Sequence, residues 1–470
     1  MTTDTDSLYA AWKKIYPRHQ EGFFRNLRWA LYGIELGLFF LLPYLRWQRS
    51  PGLPSQAVLF DLPGRKFYIF DLVIWPQDIF LLAFLLIAAA IGLFFMTALA
   101  GRVLCGYMCL QTVWTDIFLQ LERLFEGNRK QRIKLDSSPW GIRKGLIKVG
   151  KHLSWIAVSG LTAFSFVAYF IDVHVLPQQI VTGDLPFAAR VTLFLLTIGT
   201  YAMAGFAREQ VCIYMCPYAR FQGAMFDEDT LIVAYNPQLG EPRESNRRTR
   251  SVMGAKAGMC IDCNACVTTC PTGIDIRNGQ QYECIMCGAC IDACDSVRQR
   301  LGGGGERLLS YTSLQELKGG KTHWLRGRVV AYAVLLTLVL GGLVLYLARH
   351  AAVELTVIGH RQPLYIVQSD GSIQNNYTIR ILNMTSSEQT YALEVEGLPG
   401  AVLTVAAVAA EDAQGHPLLT VGSGSVTPFT VYLRQARDQV TPGRQALQFT
   451  LTAQSPQGGS AAYTGVFNRP

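Results

Sequence analysis

Apolar residues fall into long runs over most of the chain and into short alternating runs near its C-terminal end. Five long runs, Trp29–Leu45, Phe80–Leu99, Trp155–Ile171, Ala189–Phe206 and Val329–Leu347, predict membrane-spanning helices. A hydrocarbon core of about 30 Å takes roughly 17–25 helical residues, and each run reaches that length. Glu35 interrupts the first run, where an ionisable group is costly and by default a functional candidate. That run begins late and no small-x-small motif follows it, so it predicts a span rather than a cleaved leader. From about Val353 the period changes. "PLYIVQSDGSIQNNYTIRILNMT", "TYALEVEGLPG" and "QALQFTLTAQSPQGGSAAYTGVF" are short alternating runs punctuated by turn residues. They predict an antiparallel sandwich of immunoglobulin-like type, without the disulfide.

Lysine and arginine counts orient the spans. Residues 1–28 hold five, 102–151 ten and 208–328 fifteen, whereas 46–76 and 172–187 hold four and none. The expected domains are a cytosolic N-terminus (1–28), a four-helix membrane core (29–207) and a cytosolic segment (208–328). A fifth transmembrane helix (329–348) and a periplasmic sandwich (349–470) follow. Trp29, Trp155 and Trp324 read as interfacial anchors. Pro237–Gly258 reads as a polar linker, whose basic run Arg243–Arg250 lies near anionic lipid, and Gly302–Gly305 reads as a flexible stop.

Composition narrows the class. Half the residues are hydrophobic and 16% are charged, which fits a mixed membrane and globular chain. The net charge of +8 sits beside apolar runs, and no nucleic-acid signature accompanies it. All twelve cysteines fall between Cys105 and Cys294, each in a short motif, as expected of ligands in a reducing compartment rather than of disulfides. "CIDCNACVTTCP" from Cys260 and "CIMCGACIDACD" from Cys284 repeat the spacing C-x2-C-x2-C-x3-C; the competing reading is one or two zinc sites, which commonly use two pairs of cysteines instead. In the ferredoxin pattern three cysteines of one run bind one cluster and the fourth binds the other. The spacing therefore predicts two 4Fe–4S clusters, one on Cys260, Cys263, Cys266 and Cys294, the other on Cys284, Cys287, Cys290 and Cys270. Asp295 replaces the second proline of the pattern.

Two further pairs close apolar runs: Cys105-Gly-Tyr-Met-Cys109 and Cys212-Ile-Tyr-Met-Cys216. At i, i+4 spacing on a helix the two sulfurs of a pair share one face. The shared Tyr-Met-Cys ending, each pair following Arg102 or Arg208, predicts an internal repeat that gathers four thiols. Soft thiolate and thioether ligands favour Cu(I), so these cysteines, with Met108 and Met215, are candidates to handle copper. The competing reading is of ordinary buried cysteines at helix ends. His174 with Asp172, His350 and His360 are more simply solvated.

These residues resemble the cytochrome c oxidase accessory proteins of the CcoG/FixG/RdxA type. "RVLCGYMCLQTVWTDIF", "CIYMCPYARFQGAMF", "IVAYNPQLGEPR", the doubled ferredoxin motif, the fifth span and the sandwich occur in the family's order. The resemblance implies a multi-pass protein of the bacterial inner membrane that reduces Cu(II) to Cu(I) in assembling the cbb-type oxidase. By position, Cys105, Cys109, Cys212 and Cys216 would be the catalytic, copper-handling residues. Implied partners are a cytosolic electron donor, a copper transporter or chaperone, oxidase assembly components and a second copy of the chain. Leu110 stands where the family often has proline, so the helix is free to continue past Cys109. Two other functions compete: a non-catalytic copper scaffold, and a quinol-linked respiratory carrier.

Overall fold

The computed structural model describes residues 14–49, 53–245, 258–302, 306–348, 352–385, 387–436, 443–455 and 458–469. Residues 246–250 of the basic run, His350 and residues 303–305 of the glycine stop lie outside them. The chain divides into two units, residues 1–44 with 80–341, and residues 45–79 with 342–470.

In the first unit, Ile79–Ala100, Phe187–Ala207 and Gly327–Ala348 are long and apolar enough to cross a membrane. Little of their apolar surface is buried against protein, so its covering has to come from elsewhere. The other two expected spans differ from expectation. Phe23–Leu41 starts six residues ahead of Trp29 and stops before Leu45, because Pro43 in the following turn has no N–H to continue the ladder. Its first turns carry Arg25 and Arg28, both paired to Asp116, and one oxygen of Glu35 is buried without a partner. Ile142–Val167 begins thirteen residues before Trp155, through a basic stretch whose lysines and arginine are good helix formers. Trp155 is not an interfacial anchor: it is 1% exposed and stacked on Phe118 at 5.1 Å. Lys151 and Arg208 lie over its ring. Trp29 and Trp324 are exposed.

Leu110–Glu126 is amphipathic and packs Trp114 and Phe118 against Trp155. Its buried Glu122 accepts from Arg208 at 2.6 Å and Arg132 at 2.8 Å. Glu126 meets Lys148 at 2.7 Å and Lys151 at 2.9 Å. Carboxylates at this depth persist only with such partners. The cysteine-rich segment is closed by an antiparallel pair, Ile232–Tyr235 with Leu309–Thr312, which joins the chain before the motifs to the chain after them. Between them, the helices Ala265–Thr269 and Ala289–Arg300 bury Ile291, Met286 and Ile276 in a core that contains six of the cysteines.

The second unit is the expected two-sheet sandwich. One sheet runs Val402–Val405, Val426–Gln435, Ile373–Asn383, Val353–Gly359, and the other Leu418–Val421, Gln389–Glu396, Arg444–Ala453, Ser460–Asn468. Every pairing is antiparallel. Alternate residues such as Tyr377, Ile379 and Ile381 face Leu393, Phe449 and Leu451 in one core, as a half-buried period of two requires. Sequence patterning missed a three-stranded meander, Val58–Asp61, Lys66–Ile69 and Leu72–Ile74. It packs Tyr68 and Trp75 on Leu382, and Lys66 donates to the Gly424 carbonyl at 2.8 Å.

Candidate redox site

None of the twelve cysteines is in a disulfide, and the eight of the doubled motif line two cavities. One is walled by Cys260, Cys263, Cys266 and Cys294. The other is walled by Cys270, Cys284, Cys287 and Cys290, with Cys266 at the shared edge. The helix Ala289–Arg300 carries Cys290 and Cys294, four apart, into different cavities, and the helix Ala265–Thr269 carries Cys266 and ends on the C-cap Cys270. Met286 N–H points at Cys284 Sγ at 3.4 Å, and Thr272 Oγ1 lies 3.3 Å from Cys270 Sγ. Four thiols in an otherwise largely apolar chamber, with nearby donors, suit a 4Fe–4S cluster in each. Among the described residues, no three His, Cys, Asp or Glu side chains gather as a single-ion site.

The helix-end pairs are built differently from the continuous helical face expected of them. Cys105 lies in the short helix Val103–Tyr107, and Cys212 in a wide π turn, Val211–Met215. The chain then breaks, and the second cysteine of each pair becomes the N-cap of the next helix. Cys109 has φ −74° and ψ 124°, and Cys216 has φ −79° and ψ 111°. The turn therefore occurs at both sites although only Cys216 is followed by proline. Four residues before each first cysteine stands a residue with positive φ, Gly101 at 56° and Arg208 at 42°. Such a backbone is strained for arginine. Its side chain is held by Glu122 and by the Gly205 carbonyl at 2.8 Å, which over-determines the bend.

Cys105, Cys109 and Cys216 all lie within electrostatic reach of Cys212. Burial pushes Cys212 up to about 12, with Cys109, Cys105 and Cys216 adding and Arg102 opposing. Burial likewise raises Cys105, with Arg102 opposing and Cys109 adding. Gln222, fully buried on the helix after Cys216, lies 3.6 Å from Cys105 Sγ and so ties one half-site to the other. Gln111, just after Cys109, donates to the carbonyls of Met203 and Arg208. Met108 and Met215 are exposed. His174 is exposed, its N–H bonded to Asp172, and His360 is exposed beside Thr378.

The two parts of the site touch. A Cβ on Gly106 would stand 2.5 Å from the Ile285 carbonyl and 3.0 Å from Cys287 Cα, so the Cys105 turn lies directly on the loop of the second cavity. Arg102 N–H points at Met286 Sδ at 3.2 Å, and its guanidinium bonds the Tyr282 carbonyl. Tyr107 and Tyr311 hydroxyls meet at 3.1 Å, and Tyr311 bonds the Met286 carbonyl. Asp292, between Cys290 and Cys294, accepts the N–H groups of Phe24 at 3.2 Å and Arg25 at 2.8 Å and so caps the first helix. Sequence reading missed these docking residues. The glycine inside Cys105-Gly-Tyr-Met-Cys109 is the sequence signal that could have marked the close approach.

Comparison with known proteins agrees on the composition of the chain. Residues 207–314 match the family described as a 4Fe-4S dicluster domain, and residues 343–470 match the IG-like fold at the C-terminal of FixG. "Nitrogen fixation protein FixG" of Rhizobium meliloti is 39% identical, covering 98% of this chain and 94% of its own. "Protein RdxA" of Cereibacter sphaeroides is 41% identical over 97% of each chain. A crystal structure of a FixG-related protein from Vibrio parahaemolyticus covers 25% of this chain and 96% of its own, at 22% identity and a TM-score of 0.21.

Proposed function

Because the chain belongs to the FixG/RdxA family and contains a 4Fe–4S dicluster domain, we propose that it is a membrane-bound oxidoreductase reducing Cu(II) to Cu(I). Cys260, Cys263, Cys266 and Cys294 hold one cluster, and Cys270, Cys284, Cys287 and Cys290 the other. When bound, each cluster supplies one electron at a time. Copper is the substrate, handled by Cys105, Cys109, Cys212 and Cys216, which do not stand as one preformed ion site among the described residues, with Met108 and Met215 as outlying thioethers. Thiolates stabilise Cu(I) over Cu(II), so the same sulfurs that bind the ion favour its reduction. Burial holds Cys105 and Cys212 protonated, so copper binding there releases protons. The observation that carries this reading is the contact of Gly106 with the backbone at Cys287. That contact brings the Cys105 turn against the wall of the second cysteine cavity with no intervening layer.

We extend the reading to a five-span protein of the bacterial inner membrane, with the dicluster domain in the cytosol and the sandwich in the periplasm. That arrangement puts residues 46–76 and the C-terminal domain on one side, which the packing of the meander on the sandwich supports. The Cu(I) serves assembly of a cbb-type oxidase, with a copper transporter or chaperone as supplier.

The test uses anaerobic, cluster-reduced protein freed of excess reductant, given Cu(II) and a Cu(I)-trapping chelator. Wild type should yield Cu(I) in proportion to cluster oxidation, and Cys105→Ala/Cys212→Ala should not while keeping its clusters. Equal Cu(I) from both proteins refutes the role of the thiols.

A further inference from the structure

A cavity of different character opens beside the redox site. It is walled by the segment ahead of the first helix, by Leu110–Glu126, and by the loop after Cys266, and Cys212 lies in its lining. Its empty volume is about 970 Å³ with the open mouth and its solvent counted in.

Arginine dominates it. Arg25 and Arg28 share the carboxylate of Asp116 at 2.6 and 3.1 Å. Arg132 and Arg208 share that of Glu122 behind the wall, at 2.8 and 2.6 Å. Arg18, Arg123 and Arg129 make no ion pair among the described residues. Glu209 and Asp292 are the opposing charges, and Asp292 is committed to the first helix. Seven arginines thus stand against four carboxylates. Burial lowers His19, and Arg123 and Arg25 lower it further against Glu21 and Asp116.

Polar atoms in the wall are also unused. Thr269 Oγ1 and Arg132 Nε are buried without a hydrogen-bond partner, their residues 5% and 4% exposed. Native interiors rarely leave such groups unpaired, and the two belong to different walls of the same cavity. Forked guanidiniums and a hydroxyl match the oxygens of a tetrahedral oxyanion such as phosphate.

We propose that this cavity binds a phosphate-bearing group, carried by a small soluble molecule or by a lipid headgroup. Arg18 and Arg123 attract it at the rim, and Thr269 with the guanidiniums of Arg25 and Arg132 hold it within. The ligand would lie against Cys212 and against Ile285, in the wall of the second cysteine cavity. The proposal stands whether or not copper is the acceptor.

The test is calorimetric titration of inorganic pyrophosphate into full-length, cluster-loaded protein in neutral detergent. The expected result is saturable one-site binding, weakened roughly 10- to 100-fold in Arg18→Gln/Arg123→Gln. Both side chains are exposed, and unchanged iron–sulfur absorption verifies that the variant is intact. Arg123→Glu is the second variant and should weaken binding at least as far. Nanodiscs distinguish the sources. Pyrophosphate binding lost when phosphatidic acid replaces phosphatidylcholine identifies a headgroup, and undiminished binding identifies a soluble ligand. The proposal is overturned if pyrophosphate does not saturate in either setting, or if the arginine variants bind as wild type does.

Discussion

Replacing Gly106 by alanine tests the contact between the Cys105 turn and the cluster loop. The added Cβ falls 2.5 Å from the Ile285 carbonyl, 3.0 Å from Cys287 Cα and 3.1 Å from Cys287 N. All three neighbours are backbone, so no side chain can rotate away. Ordinary contact begins at 3.4 Å, and the loop has to retreat by about 0.9 Å in an interior with little slack. Overpacking of this kind costs about 1–3 kcal/mol, which disfavours the docked loop by roughly 5- to 150-fold. Alanine is intrinsically favoured over glycine in a helix by about 0.5–1 kcal/mol, so a loss appears despite the better helix former. The assay is Cu(I) formation from pre-reduced clusters, with cluster content followed by absorption. Gly106→Ala should keep both clusters and transfer electrons markedly more slowly. Gly223→Ala, on the helix after Cys216 with nothing within 4 Å of its Cβ, should behave as wild type. Wild-type transfer by Gly106→Ala with intact clusters would refute the contact as the route.

Three further outcomes follow from the same packing. Asp292→Ala removes the cap on Phe24 and Arg25 and should cost about 0.5–2 kcal/mol, read as a lower thermal midpoint and earlier proteolysis ahead of Phe23. Glu122→Gln leaves Arg132 and Arg208 buried around a neutral group and should cost about 3–5 kcal/mol near pH 7. Burial alone raises the Glu122 carboxyl, but Arg208, Lys151 and Arg132 more than offset that and hold it below the ordinary glutamate range. Its stabilisation is therefore complete above about pH 4.3 and lost as the pH falls through the lower folded value. Thermal midpoints from pH 7 to pH 3 should fall more for wild type than for Glu122→Gln, and parallel curves would sink the assignment. Cys287→Ser should lose about half the iron and acid-labile sulfide, since Cys260, Cys263, Cys266 and Cys294 line a separate cavity. Loss of all the iron would mean that the two cavities do not fill independently.

Much of this was legible because it is local. The cysteine cadence named both sets of four, and alternation in the tail marked strands whose register the pleat then dictates. Three apolar runs were long enough to speak for themselves. The first and third runs misled at their ends, because hydropathy cannot see that Arg28 finds Asp116, or that Lys151 and Arg208 bury Trp155 beneath an ion network. Those partners lie far away in sequence, and a charge that is paired across that distance reads in isolation as a reason to end the helix. The meander was hidden for a related reason: its strands are three or four residues long, too short for a period of two to register.

The internal repeat shows where spacing stops being informative. Read by sequence, Arg102 and Arg208 match, three and four residues ahead of their cysteines. In the fold the positive-φ residues match instead, Gly101 with Arg208, and the wide π turn after Arg208 differs from the helical turn after Gly101. The second cysteines nevertheless converge on one conformation, because each has become the N-cap of a helix that must restart. Proline at position 217 favours that restart but is not required for it, as Leu110 shows. The halves differ at their first cysteines. Cys105 precedes a glycine that lets its turn lie on the loop at Cys287, whereas Cys212 precedes Ile213 and lines the arginine-rich cavity. A repeat that kept its sulfurs alike and its surroundings unlike is suited to meeting a cluster on one side and a charged ligand on the other.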